Sequence, residues 1–251
     1  MGQSTLTKQL LLDGLSVFIP TYNSKPHIAE AIRRTYPVVD SLAKTFEIVV
    51  VDDHSSDSTP ALVKTLQAEY PNLKLIAMQQ GPTRRENLAQ AMRTASYEII
   101  FFQDVDLSVD PSYLAPLLAQ IIAGNDIAIG SRYKEIRPER ELWRFCVSLA
   151  YNTALRILFS SKLHDHQCGF KAFKKEVLLS LLDDLGYDNT LRRGWFWDAE
   201  LLIRAQEWGY TIAEMAVTWK SARDSTFNVR REIKMVPYVL KWACFRRAHE
   251  R

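Results

Sequence analysis

Cysteine is scarce. Cys146, Cys168 and Cys244 are widely spaced, odd in number and without a CxxC pair. That argues against a disulfide framework or a paired-cysteine zinc site and fits a reducing, cytosolic compartment. No apolar run approaches the roughly 18 to 20 residues that cross a bilayer. The opening "MGQSTLTKQLLLDG" lacks the apolar core and cleavage site of a secretory signal, and it reads as a frayed N-terminus. Gly2 invites myristoylation, but Lys8 and the apolar residues after it do not support that. Neither sign of charge dominates: 32 basic and 29 acidic residues give a net charge of +3, too little for wholesale nucleic-acid binding. Repeats and low-complexity tracts are missing too, so the 251 residues read as one sizeable α/β unit.

What is present is an alternation. "GLSVFIP" (14–20), "FEIVVVDD" (46–53), "LKLIAM" (73–78), "YEIIFFQ" (97–103) and "DIAIGSR" (126–132) have buried-strand character. Helical patterns separate them at about 25–43, from "SDSTPALVKTLQAEY" with its serine/threonine cap and early proline, at 84–94 and at 111–123. Strands alternating with helices predict a mostly parallel, doubly wound sheet with ligands outside the carboxyl ends of its strands.

Asp52, Asp53, Asp104 and Asp106 all fall where strands end, so the pattern collects them on one edge of that sheet. Carboxylates gathered there repel unless a cation or hydrogen-bond donors offset them. Oxygen-only ligands suit magnesium or manganese. An isolated D-x-D is weak, because aspartate favours loops on its own account.

The order of motifs says more. "VFIPTYN", "VVVDDHSSDST", "FFQDVDLS" and "GSRY" follow one another on successive strands, and "DHQCGFKAF" and "GWFWDAELLIRAQEWGY" come later. Together they resemble the family 2 inverting glycosyltransferases of the GT-A type, in the branch of dolichyl-phosphate glucose and dolichyl-phosphate mannose synthases. The resemblance spans about residues 15–227. It implies a single nucleotide-diphosphosugar-binding domain over 14–228, after a flexible segment 1–13. Pro20, Tyr22 and Asn23, with Asp52 and Asp53, would line the nucleoside pocket. Asp104 and Asp106 would hold a Mg2+ or Mn2+ ion that bridges the donor's phosphates. Arg132 would face the phosphate region, Arg144 and Ser148 would hold the acceptor phosphate, and Arg223 would reach the same anions.

Asp198 sits where many members of the family carry a Glu-Asp pair whose aspartate is the general base. Trp197 precedes it here. A hydroxyl acceptor needs a base, whereas a lipid phosphate is already anionic, its second pKa being about 6. Asp198 is then expected to orient the sugar or to hold an arginine. The chain departs from the pattern at Arg84 and Arg85, which replace small residues near the donor pyrophosphate, and at Ser108, which replaces a glutamine. The expected reaction moves a hexose from UDP-glucose or GDP-mannose to a polyprenyl phosphate. Transfer to a sugar hydroxyl, and a nucleotide-sugar-binding regulator without catalysis, are the alternatives.

Three further features have plainer readings. Trp195, Phe196 and Trp197 read as wall and core, Cys168 as a small buried hydrophobe. His164 and His166, flanking Asp165, read as solvent-facing loop residues. The tail 229–251 has Val229, Ile233, Val236 and Leu240 at helical spacing, widened by Met235, Val239 and Trp242, and an excess of Arg and Lys. It suits either a helix packed on the domain or a peripheral contact with the cytoplasmic face of a membrane. Pro237 is expected to kink it.

Overall fold

The computed structural model describes residues 11–83, 85–133, 142–188, 190, 193–220 and 233–249. Its sheet is built from β1 (Leu12–Thr21), β2 (Ala43–Asp52), β3 (Leu73–Ala77), β4 (Ile99–Gln103), β5 (Ile127–Ser131), β6 (Phe170–Lys174) and β7 (Ile212–Ala216). The strand order is β3-β2-β1-β4-β6-β5-β7. β1 pairs in parallel with β2 and β4, β2 with β3, and β5 with β7. β6 alone runs antiparallel, inserted between β4 and β5. The architecture is therefore the mostly parallel α/β sheet that the alternation predicts, with one inverted strand from "CGFKAFK".

The helices are α1 (Lys25–Leu42), α2 (Thr59–Leu66), α3 (Arg85–Met92), α4 (Leu114–Ile122), α5 (Leu142–Phe159), α6 (Lys175–Leu185), α7 (Phe196–Glu207) and α8 (Val236–His249). Because side chains alternate along a strand, Val17, Ile19, Ile48, Val50 and Phe101 face one side of the sheet. There they meet Ile28, Ile32 and Val39 of α1, Val63 of α2 and the Leu114, Leu117, Leu118 stripe of α4. Phe18, Val49, Val51, Ile100 and Phe102 face the other side and meet α3, α6 and α7. Strands buried on both faces explain why the sequence reads as continuous apolar runs rather than as alternation.

β1 connects to β2 on one side, and the chain returns to place β4 on its other side. The carboxyl ends of β1, β2 and β4 thus meet where the winding reverses, the position at which open α/β sheets bind ligands.

A third cluster joins Leu155 and Phe159 of α5, Phe196 and Ile203 of α7, and Met235, Val239 and Ala243 at the C-terminal end. α8 therefore packs on the domain. It does so through the residues expected only to widen its apolar face, while Val236 and Leu240 are exposed. Pro237 does not kink the helix. It lies in the first turn of α8, where its missing N–H removes no helical bond.

Candidate active site

At the end of β1, Asn23 adopts φ +48°, and its Oδ1 accepts from the Ser56 and Asp57 amides at 2.8 and 3.3 Å. Asn23 N–H donates to Ser55 Oγ at 2.8 Å. Asparagine tolerates this left-handed backbone, and its amide side chain stitches the β1 exit to the loop after β2. Tyr22 stands exposed beside it.

The two aspartates at the end of β2 have separate tasks. Asp53 accepts from Thr83 N–H at 2.8 Å, Thr83 Oγ1 at 3.1 Å and Asn87 Nδ2 at 2.6 Å. A Cβ on Gly81 would stand 2.5 Å from the Asp53 carbonyl oxygen, so this loop closes tightly over it. Asp53 was expected in the nucleoside pocket, but its carboxylate holds the β3–α3 loop. Asp52 accepts the Ser55 amide on Oδ2 at 3.0 Å, whereas its buried Oδ1 has no hydrogen-bond partner among the described residues. A buried, unpartnered carboxylate oxygen is costly, which sets Asp52 apart from the fully engaged Asp53.

Asp104 follows β4 directly. Its N–H donates to Gly169 O at 3.0 Å, and its carboxylate lies against the same glycine. A Cβ at Gly169 would come within 1.9 Å of Asp104 Oδ2, so a larger residue there would have to displace the carboxylate. Asp106, two residues on, accepts the Ser108 amide on Oδ1 at 3.0 Å.

Arg85, the first residue of α3, ties the centre together. Its Nη2 donates to Asp104 Oδ1 at 3.0 Å and its Nε to Asp198 Oδ2 at 2.9 Å. The guanidinium lies 5.2 Å from the Phe102 ring centroid and 5.9 Å from that of Trp195, within cation–π range. Asp198, in the first turn of α7, also accepts from Lys171 Nζ at 2.7 Å. Lys171 comes from the inverted strand β6 and donates to Cys168 O as well. Burial by itself would raise the Asp198 carboxyl, but Arg85 and Lys171 outweigh it and hold the group below the ordinary carboxylate range. Asp104 shifts the other way. Burial raises it, Arg85 offsets only part of that, and the neighbouring Asp106 and Asp198 charges add to the rise.

Asp104 and Asp106 fit a hard divalent cation. Both offer only oxygen, and their mutual repulsion is the kind a cation relieves. Among the described residues no group of three or more His, Cys, Asp or Glu side chains could hold a metal. A site of two carboxylates completed by phosphate and water is how magnesium is commonly held.

Arg132, at the end of β5, was expected to face phosphate. It is instead buried against Asp165, which accepts from its Nε at 2.6 Å, its Nη2 at 2.7 Å and its N–H at 3.0 Å. Burial would raise Asp165, and Arg132 overrides it to hold the carboxyl low. The next residue, Tyr133, donates to Ser148 Oγ at 2.7 Å and so brings α5 to the same corner. Arg144 lies on α5 four residues before Ser148, its side chain outside the described residues, and Arg223 lies outside them entirely.

His166 is not a solvent-facing residue. It is buried between Asn152 Oδ1 at 2.9 Å and Ser161 Oγ at 2.8 Å, and burial pushes its imidazole down to about 4. His164 is exposed and contacts Glu214. Cys168 is buried, its thiol raised to about 12 by that burial, which makes it inert as a nucleophile. Phe196 and Trp197 are core; Trp195 walls Arg85.

Sequence reading passes over Lys171. Its signal is a lysine set between Phe170 and Ala172, ahead of Phe173 and the strand-end Lys174, an apolar setting that a charge occupies only with a partner.

The family model for glycosyl transferase family 2 matches residues 16–182. Glycosyltransferase AglD of Haloferax volcanii is 35% identical over 223 residues, which are 87% of this chain but 35% of that protein. The chain thus spans about a third of that relative's length. Polyprenol monophosphomannose synthase of Mycolicibacterium smegmatis is 31% identical over 81% of this chain and 76% of its own length. Dolichyl-phosphate beta-glucosyltransferase ALG5A of Trichomonas vaginalis is 26% identical over 93% of this chain and 74% of its own. Among solved structures, glucosyl-3-phosphoglycerate synthase of Mycobacterium tuberculosis, in complex with UDP, superposes with a TM-score of 0.66. That alignment has 20% identity and covers 96% of this chain and 81% of that one, a likeness of fold.

Proposed function

The chain belongs to glycosyl transferase family 2, and from that membership and the geometry above we propose that it transfers a hexose from a nucleoside-diphosphate sugar to a polyprenyl phosphate, with inversion. The observation that carries this reading is the engagement of Asp198. Both of its oxygens are bonded to cations, Arg85 on one side and Lys171 on the other, and its carboxyl is held low. A general base needs a pKa near the working pH and a free lone pair toward the proton it removes. Asp198 has neither. An acceptor that arrives already ionised needs no such base, and a phosphate monoester is one. Two of the relatives bear names of enzymes that act on dolichyl phosphate or make a polyprenol phosphomannose, in line with this choice.

The roles follow. Tyr22, Asn23 and Asp52, with Pro20, line the nucleoside end. A divalent cation, Mg2+ or Mn2+, held by Asp104 and Asp106 would offset the charge that builds on the departing diphosphate. Arg144 and Ser148 receive the acceptor phosphate, with Arg223 as a further cation. Arg132 acts by position: locked to Asp165, it fixes the β5 corner from which Tyr133 reaches Ser148. Asp198 places Arg85 and Lys171 around the sugar's end of the cleft rather than taking a proton.

A prenyl chain resides in a bilayer, so the acceptor has to be met at a membrane surface, and we propose the cytoplasmic face. No described helix is long and apolar enough to cross. The exposed Val236 and Leu240 of α8 and Ile157 of α5 supply apolar surface for a peripheral contact.

The test is transfer itself. The purified chain is incubated with Mn2+, detergent-dispersed polyprenyl phosphate and UDP-glucose or GDP-mannose in turn, and lipid products are weighed by mass spectrometry. A polyprenyl-phosphohexose from one donor is the expected product. Transfer only to sugar hydroxyls, or release of free sugar alone, would reject the phosphate acceptor.

A further inference from the structure

We propose that Arg85 is the resident counter-cation of the metal carboxylate, occupying one oxygen of Asp104 before a divalent ion arrives and so setting how tightly that ion binds. This rests on the assignment of Asp104 and Asp106 as metal ligands.

Arg85 and Lys171 bond to Asp104 and Asp198 at 2.7 to 3.0 Å, and Asp106 adds a third carboxylate beside them. An incoming ion must therefore share Asp104 with a guanidinium that already bonds to one of its oxygens. Arg85 has little freedom to withdraw. Its Nε is fixed by Asp198, its flat face lies near Phe102 and Trp195, and its side chain is only 6% exposed. Asp104 is the more exposed partner, at 39%, but Gly169 closes the space behind its carboxylate. The ion can then approach only from the open side, against the repulsion of a guanidinium that stays in place. Alone, it binds weakly. A diphosphate supplies negative charge that relieves this repulsion, so ion and nucleotide strengthen each other's binding.

The Arg85 side chain is directed away from its own helix. α3 begins at Arg85, in a loop that Asp53 already anchors through Thr83 and Asn87. Its side chain instead crosses to α7 and to the end of β4, which is what a residue serving the site would do.

The experiment measures Mn2+ binding to the full chain by the electron paramagnetic resonance signal of the free ion, without nucleotide. In Arg85→Gln the competing charge is gone while an amide still bonds to carboxylate, so Mn2+ should bind about tenfold more tightly than to the natural chain, a change of about 1.4 kcal/mol. Arg85→Lys keeps the charge but cannot hold both carboxylates at once, and a gain of about two- to threefold is expected. A merely structural arginine predicts the opposite, because a disordered site loses affinity. Arg85→Gln binding no more tightly than the natural chain overturns the proposal, and if that variant does not fold, Arg85→Lys decides by the same criterion. Asp106→Asn identifies the site, since it should abolish the binding that Arg85→Gln strengthens. Should neither the natural chain nor Arg85→Gln bind Mn2+, the metal assignment falls together with the proposal. Should the natural chain bind and Arg85→Gln be no tighter, only the role of Arg85 falls.

Discussion

Lys171 Nζ lies 2.7 Å from Asp198 Oδ1, joining side chains that are 0% and 1% exposed. One comes from the inverted strand β6 and the other from the first turn of α7. Such a buried pair persists only when each member satisfies the other, since removing one leaves an uncompensated charge. With Arg85 on its other oxygen, this pairing is the basis for proposing that Asp198 anchors the site's cations rather than taking a proton.

The pH dependence of Asp198→Asn should show this. In the natural protein and the variant alike, the acidic limb of the rate profile should stay near pH 6, the second pKa of a phosphate monoester. Turnover falls because Arg85 and Lys171 lose their partner. A variant whose acidic limb has vanished would make Asp198 the titrating base and restore the hydroxyl-acceptor reading.

Asp106→Asn separates chemistry from stability. The Asp106 side chain bonds to the Ser108 amide, a contact an asparagine oxygen can repeat. The thermal midpoint should hardly change, while transfer falls on the order of a hundredfold or more, as when one charge-stabilising group is lost. Full activity in chelator-treated buffer would refute the metal assignment.

Gly169→Ala tests how closely the backbone controls Asp104. The added carbon would lie 1.9 Å from Oδ2 and 2.6 Å from Oδ1, so the carboxylate has to swing out of place. Overpacking of this kind costs about 1 to 3 kcal/mol of stability. The larger effect should fall on transfer, with loss of on the order of a hundredfold. An alanine variant with natural kinetics would show that Asp104 tolerates another orientation.

Glu86 makes the fold sensitive to pH. Burial lifts its carboxyl to about 6 from the usual 4.5, and Arg193, 2.9 Å away, offsets only part of the rise. A raised carboxyl means that the folded chain holds more protons than the unfolded one between these values. Stability should then decline as pH rises from 4.5 through 6, by about 2 kcal/mol in all. Urea midpoints on either side of that window should show the decline, and Glu86→Gln should lack this component. An equal decline in the variant would place its origin elsewhere.

The sequence by itself determined the alternating α/β architecture, the parallel strands and the placing of aspartates at strand ends, because burial on both sheet faces writes continuous apolar runs bounded by polar turns. Its motif order also determined the family. Other features depended on residues far apart in the chain. β6 enters the sheet antiparallel between β4 and β5, a choice fixed by pairing with both neighbours rather than by its own composition. Asp52 and Asp53 are adjacent and alike in sequence, yet only contact with Thr83 and Asn87 assigns Asp53 to the loop. His166 is buried by Asn152 and Ser161, and Arg132 is claimed by Asp165, 33 residues away. The task of Asp198 was decided in the same way. A carboxylate's chemistry depends on which charges surround it, and Arg85 and Lys171, 113 and 27 residues away, reach it only when the chain folds.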